Sequence, residues 1–192
     1  MLRCLLLLSL TLPLLATDKP KQTNVMLRTQ VGEIVIEVDS AHAPITAANF
    51  LRYVKAGFYN GGVFHRTVTL QNQPENRVKI EVVQAGANPS REKESFPAIA
   101  LERTNQTGLK HLDGTVSMAR MEPDTATSDF FICVGSQPEL DFAGRRNPDG
   151  QGFAAFGKVV KGMDVVRRIH ASAAKGQSLT PPIKILSASI VQ

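Results

Sequence analysis

An arginine two residues after a phenylalanine, in Gly61-Gly62-Val63-Phe64-His65-Arg66, is the most chemically suggestive pattern in this chain. A helical pattern stops at Gly57, a Gly-rich turn follows, and a short strand then carries an aromatic, a histidine and an arginine side by side. Two-residue alternation predicts Phe64 and Arg66 on one face and Val63 and His65 on the other. A guanidinium on an apolar face suits the floor of a water-poor groove, where a permanently charged donor acts on a bound group. Taken alone, the pattern fits better an edge-strand arginine with its stem on the surface and its head in water.

The other reactive side chains point to less. His42, His65, His111 and His170 show no metal-ligand spacing, and no Gly-x-Ser-x-Gly elbow is present, so hydrolysis and metal chemistry are poorly supported. Cys133 sits in the continuous apolar run Phe130 to Val134, which reads as a buried strand with the thiol serving as a small hydrophobe. The basic residues that give the net charge of +5 are dispersed, with no basic helix or basic-aromatic stripe, so nucleic-acid binding is not indicated.

The elements that must position Arg66 are mostly strands. The chain has 192 residues and 43% apolar content, enough for one domain with a sizeable core. Strand patterns fall at 25–29, 33–38, 63–66, 78–84, 115–119, 130–134, 153–160 and 183–191, the first two as a hairpin. Two helical patterns stand out. One opens at Pro44, with Asp39 or Ser40 as its cap and Ala47, Phe50, Leu51 and Val54 as its stripe; the other covers 162–170. Residues 69–77 and 90–113 read as polar and irregular. No βαβ rhythm appears, and a closed antiparallel barrel with a helix plugging each end satisfies the pattern, because closure removes exposed edges.

The first residues read as a targeting segment. Met1-Leu2-Arg3 is a short positive region, Cys4 to Leu15 is mostly apolar, and Ala16 precedes a polar stretch. Such a run is short for a bilayer span and fits a cleavable signal peptide at 1–16. A leader at 17–23 and one domain at 24–192 follow. The expected location is the periplasm or the exterior, with no membrane contact after cleavage. Cleavage would leave Cys133 as the only cysteine, which excludes an intramolecular disulfide.

Five segments, in order, then resemble the cyclophilin family of peptidyl-prolyl cis-trans isomerases, and most nearly its exported bacterial branch. They are Pro44 to Arg66, Val83 to Gly86, Gly114 to Arg120, Ser128 to Ile132 and Phe156 to Val166. The resemblance implies a mainly β fold, a closed eight-stranded antiparallel barrel capped by two α-helices, with a groove for proline-containing peptides on its outer surface. It implies that Arg66 is catalytic and that Gln84 is a hydrogen-bonding partner in the groove. Ala119 and Arg120 would line the backbone-binding strand. Phe131 would form the proline pocket, with Val82, Met118, Leu140, Phe153 and Asp129 around it, and Phe64 would support Arg66. The implied reaction needs no cofactor or metal. The implied partners are proline peptides and folding client proteins, met by a monomer.

The chain also departs from that family. Glu81 and Val82 stand where an aromatic and a thioether are usual, Asp129 replaces a glutamine, and Glu139 replaces a large aromatic. The loop between Arg66 and Gln84 is longer than usual. These changes predict a smaller and more acidic pocket, with a preference for basic residues beside the proline. They also keep a second reading open, a proline-peptide-binding chaperone module with weak or no turnover.

Overall fold

The computed structural model describes residues 23–191. The expected signal peptide and residues 17–22 of the leader lie outside the described residues, and Thr23 already begins a strand. Strands β1 (Thr23–Thr29) and β2 (Gly32–Val38) form the expected hairpin, with Val25, Leu27, Ile34, Ile36 and Val38 buried. Helix α1 (Pro44–Lys55) follows, and Ala47, Phe50, Tyr53 and Val54 form its buried stripe. Gly57 then turns the chain with φ of +70°, a conformation that glycine adopts without a side-chain clash.

Neither Asp39 nor Ser40 caps α1. Asp39 Oδ1 accepts the His42 N–H at 3.0 Å. The first-turn N–H groups of Ile45 and Thr46 donate instead to Glu102, at 3.1 and 2.7 Å, and the Thr46 hydroxyl donates to the same carboxylate at 2.6 Å. A carboxylate at this end satisfies orphan donors and complements the helix dipole. Glu102→Ala is therefore expected to cost about 1 kcal/mol, the usual worth of a cap. The change would appear as a lower urea midpoint with an unchanged m-value.

The remaining strands are β3 (Val63–Val68), β4 (Val82–Gly86), β5 (Thr115–Met118), β6 (Phe130–Cys133), β7 (Ala154–Lys161), β8 (Ala174–Lys175) and β9 (Ser178–Val191). They pair antiparallel in the cyclic order β1-β2-β7-β5-β6-β4-β3-β9, and β9 returns to β1. The sheet is a closed eight-stranded barrel, as expected, with two-residue β8 attached only to β9. Among the described residues there are three α-helices rather than two: α2 (Thr104–Thr107), too short for a sequence stripe, stands between α1 and α3 (Met163–His170). Gly108 stops α2 with φ of +74°. The strand expected at 78–84 starts only at Val82, because the buried Gln73 side chain takes both backbone groups of Ile80.

Two apolar layers result. The barrel interior holds Phe50, Tyr59, Phe64, Phe130, Phe156 and the inward aliphatics. A smaller cluster lies outside the barrel wall: Val68, Ile80, Val82, Phe131, Cys133 and Leu140, with Ala119 and Phe153 against it. Alternation along β6 feeds both, sending Phe130 and Ile132 inward and Phe131 and Cys133 outward. Burial, reinforced by the Asp141 and Asp113 carboxylates, pushes the Cys133 thiol pKa up and leaves it inert.

Candidate active-site groove

The placement of Arg66 depends on a bulge. In the ladder between β3 and β4, Phe64 faces Ala85 and Arg66 faces Gln84, so His65 is an extra residue. Phe64 and Arg66 therefore point to opposite faces, contrary to strict alternation. Phe64 is fully buried in the barrel, in edge contact with Phe130 at 6.3 Å, and does not reach the groove. Arg66 emerges outside, over the outer apolar cluster. Met118 is likewise inside the barrel at 1% exposure, because it is the outward Ser117 that shares a face with Phe131.

Around Arg66 lies a groove of ≈ 460 Å³. Of the expected residues it brings together Arg66, Val82, Gln84, Ala119, Arg120, Phe131, Leu140 and Phe153. Phe131 and Phe153 meet edge to face at 5.4 Å, forming an apolar corner above Leu140. Asp129 is outside this groove and lines an adjoining depression of ≈ 210 Å³ with Gln84, Ala119 and Arg120. Glycine at 86 makes room for that carboxylate, since a Cβ there would collide with it.

A polarised hydrogen-bond chain fixes the central groups. Arg66 Nη1 donates to Gln84 Oε1 at 3.0 Å, and Gln84 Nε2 donates to Asp129 Oδ2 at 3.2 Å. The cation binds the amide oxygen and the carboxylate binds the amide nitrogen, so the orientation of Gln84 is set by charge at both ends. Arg66 Nε and Nη2 donate to Gln177 Oε1 at 2.9 and 2.6 Å. Gln177 carries no local sequence signal, because it lies 111 residues away, in the turn between β8 and β9. Burial lowers the Arg66 pKa from its ordinary value, and a guanidinium remains charged regardless. Among the described residues three of its five donors are engaged, which leaves two for a ligand. Gln177→Ala is expected to leave the melting temperature nearly unchanged, because it frees the arginine without opening the core, while any turnover that depends on a fixed guanidinium falls about tenfold in kcat/KM.

The acids expected to colour the pocket do not line it. Glu139 lies in a turn whose carboxylate accepts from the Arg145 backbone N–H at 2.9 Å and the Arg145 guanidinium at 2.8 Å, and these bonds hold it below the usual carboxylate range. Glu81 faces the His170 ring at 3.9 Å. Among the unexpected lining residues is Arg146, which shares the groove wall with Ile80, Asn76 and Leu140. The groove is basic rather than acidic.

Behind Phe131, His111 bridges Asp141 at 2.8 Å and Ser117 at 3.0 Å, and its ring stacks on Phe131 at 5.9 Å. The three residue types match a hydrolytic triad, yet Ser117 is fully buried in the wall and no substrate carbonyl can reach its hydroxyl. The assembly props Phe131 from behind. Asp141 is desolvated, which alone would raise its pKa, but the His111 ring and N–H and the Lys110 charge hold it below its ordinary value.

A family model described as cyclophilin type peptidyl-prolyl cis-trans isomerase/CLD matches residues 24–190. Peptidyl-prolyl cis-trans isomerase A of Dickeya dadantii is 39% identical over 180 residues, covering 88% of this chain and 85% of that protein. Peptidyl-prolyl cis-trans isomerase cyp18 of Streptomyces antibioticus is 34% identical over 175 residues, covering 88% and 99%. Among solved structures, a Cryptosporidium parvum cyclophilin superposes with a TM-score of 0.71 at 22% identity, covering 89% of this chain and 98% of that one. The same protein has also been solved in the presence of the dipeptide Ala-Pro.

Proposed function

The chain belongs to the cyclophilin-type peptidyl-prolyl cis-trans isomerase family, and on that footing we propose that it accelerates rotation about Xaa-Pro bonds in peptides and folding proteins, with Arg66 as the catalytic group. The observation that carries this reading is the pairing of a fixed guanidinium, with donors to spare, and an apolar corner in one groove.

The chemistry follows from the amide. Resonance places the prolyl nitrogen lone pair in the C–N bond and gives a rotation barrier of ~18–20 kcal/mol. Unaided exchange takes tens to hundreds of seconds. In the twisted transition state that lone pair localises on nitrogen, and a donor from Arg66 binds it there more strongly than in either planar isomer. The pyrrolidine ring packs between Phe131, Leu140 and Phe153, which anchors one side of the bond while the other turns. The Gln177 and Gln84 amides hold the guanidinium in advance, so little reorganisation accompanies the charge shift. Stabilisation confined to the transition state raises kcat without a covalent intermediate.

Turnover is favoured over a binding-only module because Glu139, one of the two acids behind that alternative, is held by Arg145 and lines no part of the groove. The order of residues 1–16, positive then apolar then small, supports an exported protein acting on exported clients. The test is relaxation of a proline tetrapeptide from cis to trans. Acceleration proportional to protein concentration is the expected result. Peptide-induced shifts in groove resonances without acceleration would establish the binding module instead.

A further inference from the structure

Beyond the reacting bond, the charge layout of the groove has a direction. Two guanidiniums, Arg66 and Arg146, line it together, and among the described residues neither forms an ion pair with a carboxylate. Arg66 is held by two neutral amides. Arg146 Nη1 donates to Gln73 Oε1 at 2.9 Å and to the Val78 carbonyl at 2.6 Å, both neutral as well. The other lining arginine is different: Arg120 is held by Asp149 at 2.8 Å and by the Gly152 carbonyl, and is neutralised in place. Asp129, the acid nearest to Arg66 along the hydrogen-bond chain, sits at the other end, in the adjoining depression.

Arg146 is a poor candidate for a pure loop staple. Among the described residues only Nη1 is engaged, so Nε and Nη2 retain a parallel pair of donors, the geometry that takes a carboxylate in two bonds. Two like charges in one half-buried groove also repel. Burial and the Arg66 charge both lower the Arg146 pKa, and an incoming anion would relieve that repulsion. The position is built for the purpose by two segments: the 69–80 loop supplies both acceptors, and the Arg146 backbone N–H is held by the Glu139 carbonyl at 3.1 Å. Glu139 itself offers no compensation, since its carboxylate is taken by Arg145.

We propose that the groove selects peptides carrying an acidic side chain beside the proline, on the side away from Asp129, and that Arg146 is the residue that reads it. This rests on the isomerase reading and specifies its substrate. It reverses the preference for basic neighbours that the acids in the sequence suggest.

The test is a panel of tetrapeptides differing only in the residue before or after proline, Glu, Gln or Lys, with kcat/KM from cis-to-trans relaxation and Kd from titration. At low salt the Glu peptide at one of the two positions is expected to exceed its Gln counterpart about five- to tenfold, with Lys below Gln. The ratio should shrink as salt rises, since a partly exposed charge pair is screened. Arg146→Gln should bring the Glu/Gln ratio close to one, while Arg146→Lys, which keeps the charge but not the paired donors, should retain an intermediate part of it that salt screens. A ratio near one in the parent, or an equal ratio in parent and Arg146→Gln, overturns the proposal. So does loss of the ratio in both variants, which would make Arg146 a loop support. If no peptide is accelerated but the Kd values still rank Glu before Gln before Lys, the charge selection stands and the isomerase reading falls.

Discussion

Arg66→Ala lowers kcat/KM for a proline tetrapeptide by about 10²-fold or more, equivalent to ~2.7 kcal/mol of transition-state stabilisation. The size follows from where the group acts. Removing one preorganised donor from a developing charge in a water-poor site costs that much in well-studied cases, and two of the Arg66 donors are free to face the substrate. The loss should fall mainly on kcat, because the planar ground state keeps its lone pair in the amide and offers the nitrogen poorly. Peptide affinity, which the proposed seat of the proline ring among Phe131, Leu140 and Phe153 would carry, should change less. Arg66→Lys should recover little, since an ammonium lacks the planar fork that Gln177 and Gln84 grip together. Neither variant should lower the melting temperature much: Arg66 is a desolvated cation outside the barrel, and its removal opens no core cavity. Stopped relaxation measurements at several protein concentrations decide the matter. A variant retaining more than a third of the parent rate would move the catalytic role to another group.

Much of the architecture could be read from periodicity. The hairpin of β1 and β2 largely alternates, with Val35 the buried exception, and α1 carries a buried stripe with proline at its start and glycine after its end. These are local signals, and local physics sets them. The bulge at His65 was not legible, because a bulge is defined by the register against β4 and leaves no mark within Val63–Val68 itself. Strict alternation therefore put Phe64 beside Arg66, whereas the structure separates them across the wall. The same limit applies to charge. Asp129, Glu81 and Glu139 made the pocket look acidic in the sequence, but charge depends on which groups meet. Glu139 meets Arg145, Glu81 faces His170, and the long 69–80 loop brings in Arg146. The residues supplying Gln177 and Arg146 lie in turns, whose placement depends on contacts across 68 to 111 residues of chain. The α1 cap shows the same thing in the fold, since Glu102 replaces the adjacent Asp39.

Adjacent phenylalanines on β6 should separate stability from function. Phe130 is fully buried in the barrel and packs against Phe50 at 5.4 Å, Tyr59 at 5.5 Å and Phe64 at 6.3 Å. Truncating it removes the centre of that aromatic cluster, and rigid strands on every side limit collapse. Phe130→Ala is therefore expected to cost about 3–5 kcal/mol, the range for a large aromatic lost from a closed core. For a chain of this size that is a fall in melting temperature of about 10 °C. Where the variant remains folded, its turnover should stay within a few-fold of the parent, because no atom of Phe130 reaches the groove. Phe131 points the opposite way. It closes the apolar corner with Phe153 and rests on the His111 ring. Phe131→Ala should lower kcat/KM by roughly 10-fold to 10²-fold, since a proline ring left without its anchor lets the whole peptide turn with the bond. Its stability cost should be the smaller of the two, because the outer cluster is open to solvent on one side and can relax. Thermal melts and peptide relaxation on both variants give four numbers. Equal losses of activity would mean that the barrel core, and not the outer wall, shapes the groove.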